Sequence, residues 1–176
     1  MNKKLSMAEL NRLSVNEFHK AEKQELVIVL DNIRSQSNTG SVFRTSDAYR
    51  IQKLFLCGIT AVPPHREIQK TALGATESVA WEYFENTVDC IHQLKADGYY
   101  IISIEQTQQS IPLNTFSPNP NQKLAIVLGN EINGISEEVL SASDICIELP
   151  QFGTKHSLNI SVCAGIVIWE LSKAFF

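Results

Sequence analysis

Leu26-Val27-Ile28-Val29-Leu30 is an unbroken, β-branched apolar run of the kind carried by strands that are covered on both faces. Comparable runs at Lys53–Cys57, Trp81–Phe84, Tyr99–Glu105, Leu124–Leu128 and Ile145–Leu149 predict five further strands. Helical periodicity separates them, near residues 40–50, 65–73, 87–97, 136–142 and 157–175. Strand and helix alternate throughout, which predicts an α/β fold: a mostly parallel sheet with helices on both faces. Upstream, Ser6-Met7-Ala8-Glu9 and Ser14-Val15-Asn16-Glu17 read as capping boxes and predict one or two short helices between about residues 6 and 23. Residues 1–25 are therefore expected to be a short helical extension, and residues 26–176 one α/β domain. Gln106–Gln122, with Pro112, Pro118 and Pro120, is the one stretch that reads as a long loop.

Composition removes several classes. Of 176 residues, 44% are hydrophobic and 19% charged, enough apolar matter for a core and too little charge for a disordered chain. No apolar run approaches the ~20 residues of a membrane helix, and the basic Met1-Asn2-Lys3-Lys4 start has no apolar stretch behind it, so neither a span nor a secretory signal is expected. Cys57, Cys90, Cys146 and Cys163 lie far apart without a C-x-x-C pair, a spacing that suits reduced thiols of a cytoplasmic protein rather than zinc ligands. The net charge of −4 hides an asymmetry: residues 1–80 carry a balance of +3 and residues 81–176 one of −7. That difference permits a polyanion to meet one end of the molecule.

Parallel α/β sheets place ligands beyond the carboxyl ends of their strands. Three segments there are rich in small and polar residues: Asp31 to Gly40, Gly129 to Gly134, and Pro150 to Asn159. No G-x-G-x-x-G follows the first strand, and the Gly129 to Gly134 spacing lacks the Lys-Ser/Thr of a phosphate loop, so dinucleotide binding and nucleotide hydrolysis find little support. Ser157 beside His156 does not form a legible triad, because neighbours on a helix do not face each other.

Asn38-Thr39-Gly40-Ser41-Val42-Phe43-Arg44-Thr45 resembles the first motif, N-x-G-x-x-x-R-T, of the SpoU/TrmH family of RNA ribose 2′-O-methyltransferases, part of the SPOUT superfamily. Leu128-Gly129-Asn130-Glu131-Ile132-Asn133-Gly134-Ile135 resembles the second motif, and Leu149-Pro150-Gln151-Phe152-Gly153-Thr154-Lys155-His156-Ser157-Leu158-Asn159-Ile160-Ser161 the third. The similarity spans about residue 26 to the C-terminus. Glu105-Gln106-Thr107 and Ile168-Trp169-Glu170 look most like the catalytic domain of eukaryotic tRNA 2′-O-methyltransferases that act on a D-loop guanosine. The resemblance implies a C-terminal deep trefoil knot, an exception to the rule against knotted chains. It also implies an S-adenosylmethionine donor and a homodimer.

The same resemblance assigns residues. Arg44 becomes the arginine that engages the RNA backbone and the target hydroxyl. A free guanidinium stays protonated, so Arg44 is expected to hold a phosphate and orient the 2′-oxygen rather than take its proton, and the base stays unassigned. Asn38 is a site residue by the motif and a helix cap by its position. Glu131 is expected to brace the site loops through hydrogen bonds to Asn38 or to backbone amides, and Gly129 to give backbone access to the adenosine. Ile104, Leu149 and Leu158 are implied to line the adenine and methionine pocket. Ser157, a good N-cap on any reading, and Asn159 are implied to lie near cofactor and ribose. Ser37 departs from the histidine, and Gln151 from the methionine, that several relatives carry. Arg34, Arg44, Arg66 and Lys155, with Arg50, Lys53 and Lys70, are candidate phosphate contacts. His65 and His156 receive no role.

The reading is an S-adenosylmethionine-dependent RNA ribose 2′-O-methyltransferase that uses no metal, with tRNA favoured over rRNA. A non-catalytic RNA-binding module of the same fold and a small-molecule α/β enzyme stand as alternatives. The short extension leaves RNA recognition largely to the α/β domain. The last helix carries Val162, Ile166, Trp169, Phe175 and Phe176 among the small residues Ala164, Gly165 and Ala174, an apolar surface expected to pack across a dimer axis.

Overall fold

The computed structural model describes residues 2–6, 8–119 and 121–173; Met1, Met7, Pro120, Ala174, Phe175 and Phe176, named above, lie outside them. Among the described residues seven strands form one sheet: β1 (Gln24–Asp31), β2 (Ile51–Cys57), β3 (Trp81–Phe84), β4 (Tyr100–Ile104), β5 (Ile111–Pro112), β6 (Leu124–Leu128) and β7 (Ile145–Glu148). Their order is β3-β2-β1-β6-β4-β7-β5, and every pairing is parallel. The helices are α1 (Val15–Lys20), α2 (Gln36–Ala48), α3 (Arg66–Ala72), α4 (Ala75–Ser78), α5 (Thr87–Ala96), α6 (Glu137–Ala142) and α7 (Ile160–Ser172).

Alternation along β1 explains why its whole run is apolar. Leu26, Ile28 and Leu30 enter one core with Val42 and Phe43 of α2, Ile68 of α3, and Val167 and Ile168 of α7. Val27 and Val29 enter a second core with Cys90, Ile91 and Leu94 of α5 and Val139 of α6. Successive strand side chains point to opposite faces, so a strand between two helical layers must be apolar on both. Cys57 and Cys90 meet in the second core, where a hydrogen bond from one thiol to the other, together with burial, pushes the Cys90 thiol well above its usual range.

Local sequence misleads at several boundaries. The Ser6–Glu9 box forms, with Ser6 N donating to Glu9 Oε2 at 2.7 Å, yet only a turn follows and Asn11 takes a positive φ of 46°. The Ser14–Glu17 box does start a helix, which ends at Lys20. α2 begins at Gln36 under a Ser35 cap, four residues ahead of the expected start, and α7 begins at Ile160 under Asn159 rather than at Ser157. The expected 65–73 helix breaks at Leu73 and Gly74, both with positive φ, and restarts as α4. β5 falls inside the expected loop. It is a two-residue edge strand beside β7, where Pro112 removes no hydrogen bond from a central ladder.

Candidate active site

The strand order β1-β6-β4-β7 sets four carboxyl-end loops side by side. These are the segment after Asp31, the turn after Leu128, Glu105 to Ser110, and Leu149 to Asn159. An open cleft of about 260 Å³ lies between the last three. Ile104, Leu128, Leu149, Leu158 and Ile160 form its apolar walls, and Gly129, Asn130, Glu131 and Ser157 are among its polar lining. Every residue expected to hold the cofactor (Ile104, Gly129, Leu149, Ser157 and Leu158) is in this one lining.

Asn130 builds the second loop. Asn130 N donates to Gly134 O at 3.2 Å, Gly134 N returns a bond to Asn130 O at 2.8 Å, and Asn130 Oδ1 accepts from Ile132 N at 2.8 Å. Its Nδ2 donates to Asn32 O at 2.9 Å, tying this loop to the one after β1. Glu131, carried on the turn, accepts from Asn38 Nδ2 at 2.6 Å, the brace expected from the sequence. Asn159 Nδ2 in turn donates to Asn38 Oδ1 at 3.2 Å. One chain of side chains thus joins all three motifs across 93 and 121 positions of sequence.

Three of the assignments change physical character. Asn38 is not the cap of α2: Ser35 Oγ accepts from Asn38 N at 3.2 Å, which frees the Asn38 amide to reach Glu131 and Asn159. Ser157 is not the cap of α7 but an exposed residue on the cleft wall; Asn159 Oδ1 caps, accepting from Ser161 N at 2.9 Å. At Gly129, a β-carbon would lie 2.5 Å from the Gly134 carbonyl carbon and 2.6 Å from Ile135 N, so the loop's own backbone already demands glycine there. Gly40 is required in the same way, since a β-carbon would sit 2.3 Å from Ile68 O where α2 crosses α3.

Glu105, for which the motifs name no role, holds the cleft together. Its Oε2 accepts from Ile135 N at 3.0 Å and its Oε1 from Gln106 N at 3.0 Å. Gln106 Nε2 donates to His156 O at 3.3 Å and links this segment to the third loop. His156 and Cys163 also line the cleft. The Cys163 thiol is pushed up to about 11, by burial first and by the negative charge of Glu105 second. Alkylation of Cys163 at pH 8 is therefore expected to run roughly tenfold to a hundredfold slower than that of a free thiol and to rise through pH 10. Mass spectrometry of a time course checks this, and a rate equal to that of a free thiol would contradict it.

Arg44 lies outside the cleft lining. It is exposed on α2, two turns after Asn38, and its side chain makes no hydrogen bond or ion pair among the described residues. Arg34, Arg66 and Lys155 are exposed as well. Lys53 differs, being held by Glu82 at 2.5 Å, and Lys70 has only a loose 3.9 Å approach to Glu67. Among the described residues no group of three or more His, Cys, Asp or Glu is arranged to hold a metal ion.

The sequence profile of the SpoU rRNA Methylase family matches residues 25–169, which take in all three loops and the helices between them. The chain belongs to this family. Within the family it is 31% identical over 146 residues to a tRNA (guanosine(18)-2′-O)-methyltransferase of Borreliella burgdorferi, covering 83% of this chain and 65% of that protein. It is 29% identical over 150 residues to a tRNA (guanosine(18)-2′-O)-methyltransferase of Mus musculus, covering 84% of this chain and 9% of that protein. The crystal structure of an AdoMet-bound rRNA methyltransferase from Sinorhizobium meliloti superposes with a TM-score of 0.80 at 25% identity, over 94% of this chain and 62% of that one. This chain thus spans just under two thirds of the bacterial relatives described here and a small part of the mouse protein.

Proposed function

We propose that this chain transfers a methyl group from S-adenosylmethionine to a ribose 2′-hydroxyl of RNA, with tRNA favoured over rRNA. The observation that carries the reading is the Asn38–Glu131–Asn159 chain, which ties the first motif, on α2, to the two motif loops that line the cleft. The cleft suits an adenosyl group. Leucine and isoleucine side chains offer flat apolar walls for a purine, and exposed backbone and carboxylate oxygens accept from amino and hydroxyl groups. Two of the relatives are named as tRNA guanosine methyltransferases, and this favours tRNA.

Ile104, Leu149 and Leu158 would hold the cofactor, with Gly129 and Ser157 beside it. When bound, S-adenosylmethionine supplies an electrophilic methyl group. The protein's part is to bring the 2′-oxygen into line and keep it there. Asn38, Glu131 and Asn159 fix the relative positions of the loops. Arg44, without a hydrogen-bond or ion-pair partner among the described residues, reaches for an RNA phosphate with a planar, two-pronged donor and orients the ribose. Arg34, Arg66 and Lys155 would add phosphate contacts. The C-terminal segment would form the deep trefoil knot, and the half-exposed Val162, Ile166 and Trp169 on α7 would meet a second copy of the chain.

The test incubates purified protein with labelled S-adenosylmethionine and either tRNA or rRNA lacking 2′-O-methyl groups, maps the product, and weighs the protein by light scattering. Label in a ribose of tRNA and a dimer mass are expected, with transfer unaffected by chelators. Transfer to neither RNA by folded protein would overturn the reading, and a monomer mass at micromolar protein would overturn the dimer.

A further inference from the structure

The cleft lining contains three carboxylate side chains, Glu105, Glu131 and Glu148, and neither lysine nor arginine. His156 is its one basic side chain. The partners of the carboxylates are all uncharged: Gln106 N and Ile135 N on Glu105, Asn38 Nδ2 on Glu131, and the Ser110 hydroxyl on Glu148 at 3.1 Å. None of the three forms an ion pair among the described residues. Hydrogen bonds of this kind hold each carboxylate in place without cancelling its charge. That charge acts within the cleft: the Cys163 thiol on α7, which also lines it, is held neutral by burial and, in smaller part, by Glu105.

We infer that these carboxylates make the cleft selective for a positively charged adenosyl ligand, so that S-adenosylmethionine binds more tightly than S-adenosylhomocysteine. The inference rests on the methyl-donor reading above. The two ligands differ by one methyl group and one charge. In the transfer the sulfur–methyl bond breaks, its electron pair stays on sulfur, and a carbon–oxygen bond forms at the ribose, whose proton passes to solvent or phosphate. The ligand's net charge falls from +1 to zero. Attraction to the three carboxylates is thereby lost at the step after which the product has to leave. Glu105, Glu131 and Glu148 are in this sense specificity-determining residues, acting through their field rather than through a bond to the reacting atoms.

Calorimetric titration of S-adenosylmethionine and S-adenosylhomocysteine into the full chain tests this, using wild type, Glu148→Gln and Glu105→Gln. Glu148→Gln is the cleaner variant, because the new amide oxygen still accepts from the Ser110 hydroxyl. The affinity ratio is expected to favour S-adenosylmethionine in wild type and to fall about threefold or more in each variant. It should also shrink as salt is raised in wild type. A purely structural role would weaken both ligands equally; an unchanged ratio, or equal loss for both, overturns the inference. If wild type binds both ligands equally tightly, only the charge argument falls. If folded wild type binds neither, the methyl-donor reading falls and this inference with it.

Discussion

Gly129→Ala is expected to weaken S-adenosylmethionine binding at least about tenfold while leaving the sheet folded. The added carbon would stand 2.5 Å from the Gly134 carbonyl carbon and 2.6 Å from both Ile135 N and Ile135 Cγ1. Two of those three atoms are backbone, so no rotamer change relieves the clash and the turn has to open. Opening separates the Asn130–Gly134 pair and pulls Ile135 N from Glu105. Each such bond contributes about 1 kcal/mol, and overpacking of this kind costs about 1–3 kcal/mol in total. That loss is small beside the stability of a domain with two buried layers, but it falls on the loop that carries Glu131 and one wall of the cleft. Gly153→Ala is the control. It lies in the third loop, and a β-carbon there meets nothing within 4 Å, so binding and melting temperature should stay at wild-type values. Titration of S-adenosylmethionine into both variants, with thermal melts beside it, decides the matter; a Gly129→Ala protein that binds like wild type would show that the turn is not under the constraint described.

The contrast between those two glycines shows what the chain makes legible and what it hides. The second motif marks Gly129 as special, but the reason lies in where residues 134 and 135 return, and no local pattern contains that. The strands were readable because a parallel sheet covered on both faces leaves continuous apolar runs, as in Leu26 to Leu30 and Leu124 to Leu128. Which of those side chains enters which core is a matter of pleat and register, fixed only once β1 lies between β2 and β6. Helix starts were less readable. Ser35, Ser37 and Asn38 can all cap, and the choice of Ser35 goes with a long-range demand, the Asn38 amide being used by Glu131 and Asn159. Glu105 escaped for a related reason. The Glu105-Gln106-Thr107 run supports the resemblance but names no role for Glu105, whose work is done on Ile135, 30 positions away. The exposed basic residues are the opposite case. Arg34, Arg66 and Lys155 are where a surface residue would be on any reading, and exposure alone does not rank them.

Arg44→Ala is expected to separate chemistry from cofactor binding. Arg44 is not among the residues lining the cleft and bonds to none of them, so S-adenosylmethionine affinity should stay within about twofold of wild type. RNA affinity should fall modestly, because one phosphate contact among several is removed. Methyl transfer should fall about 100-fold, which corresponds to about 2.7 kcal/mol of lost orientation. The fold should be indifferent, since an exposed helix position contributes little to stability. Arg44→Lys should recover little of the rate: an ammonium keeps the charge but cannot grip two oxygens of a phosphate in one plane. Single-turnover transfer, calorimetric cofactor binding and RNA titration on the three proteins make the comparison. If the lysine variant regained most of the activity, charge alone would be sufficient and the two-pronged grip would be the wrong account. Near-wild-type transfer by the alanine variant, with cofactor bound, would take Arg44 out of the chemistry altogether. The catalytic burden would then rest on the Asn38–Glu131–Asn159 chain, whose hydrogen bonds physically join all three motifs.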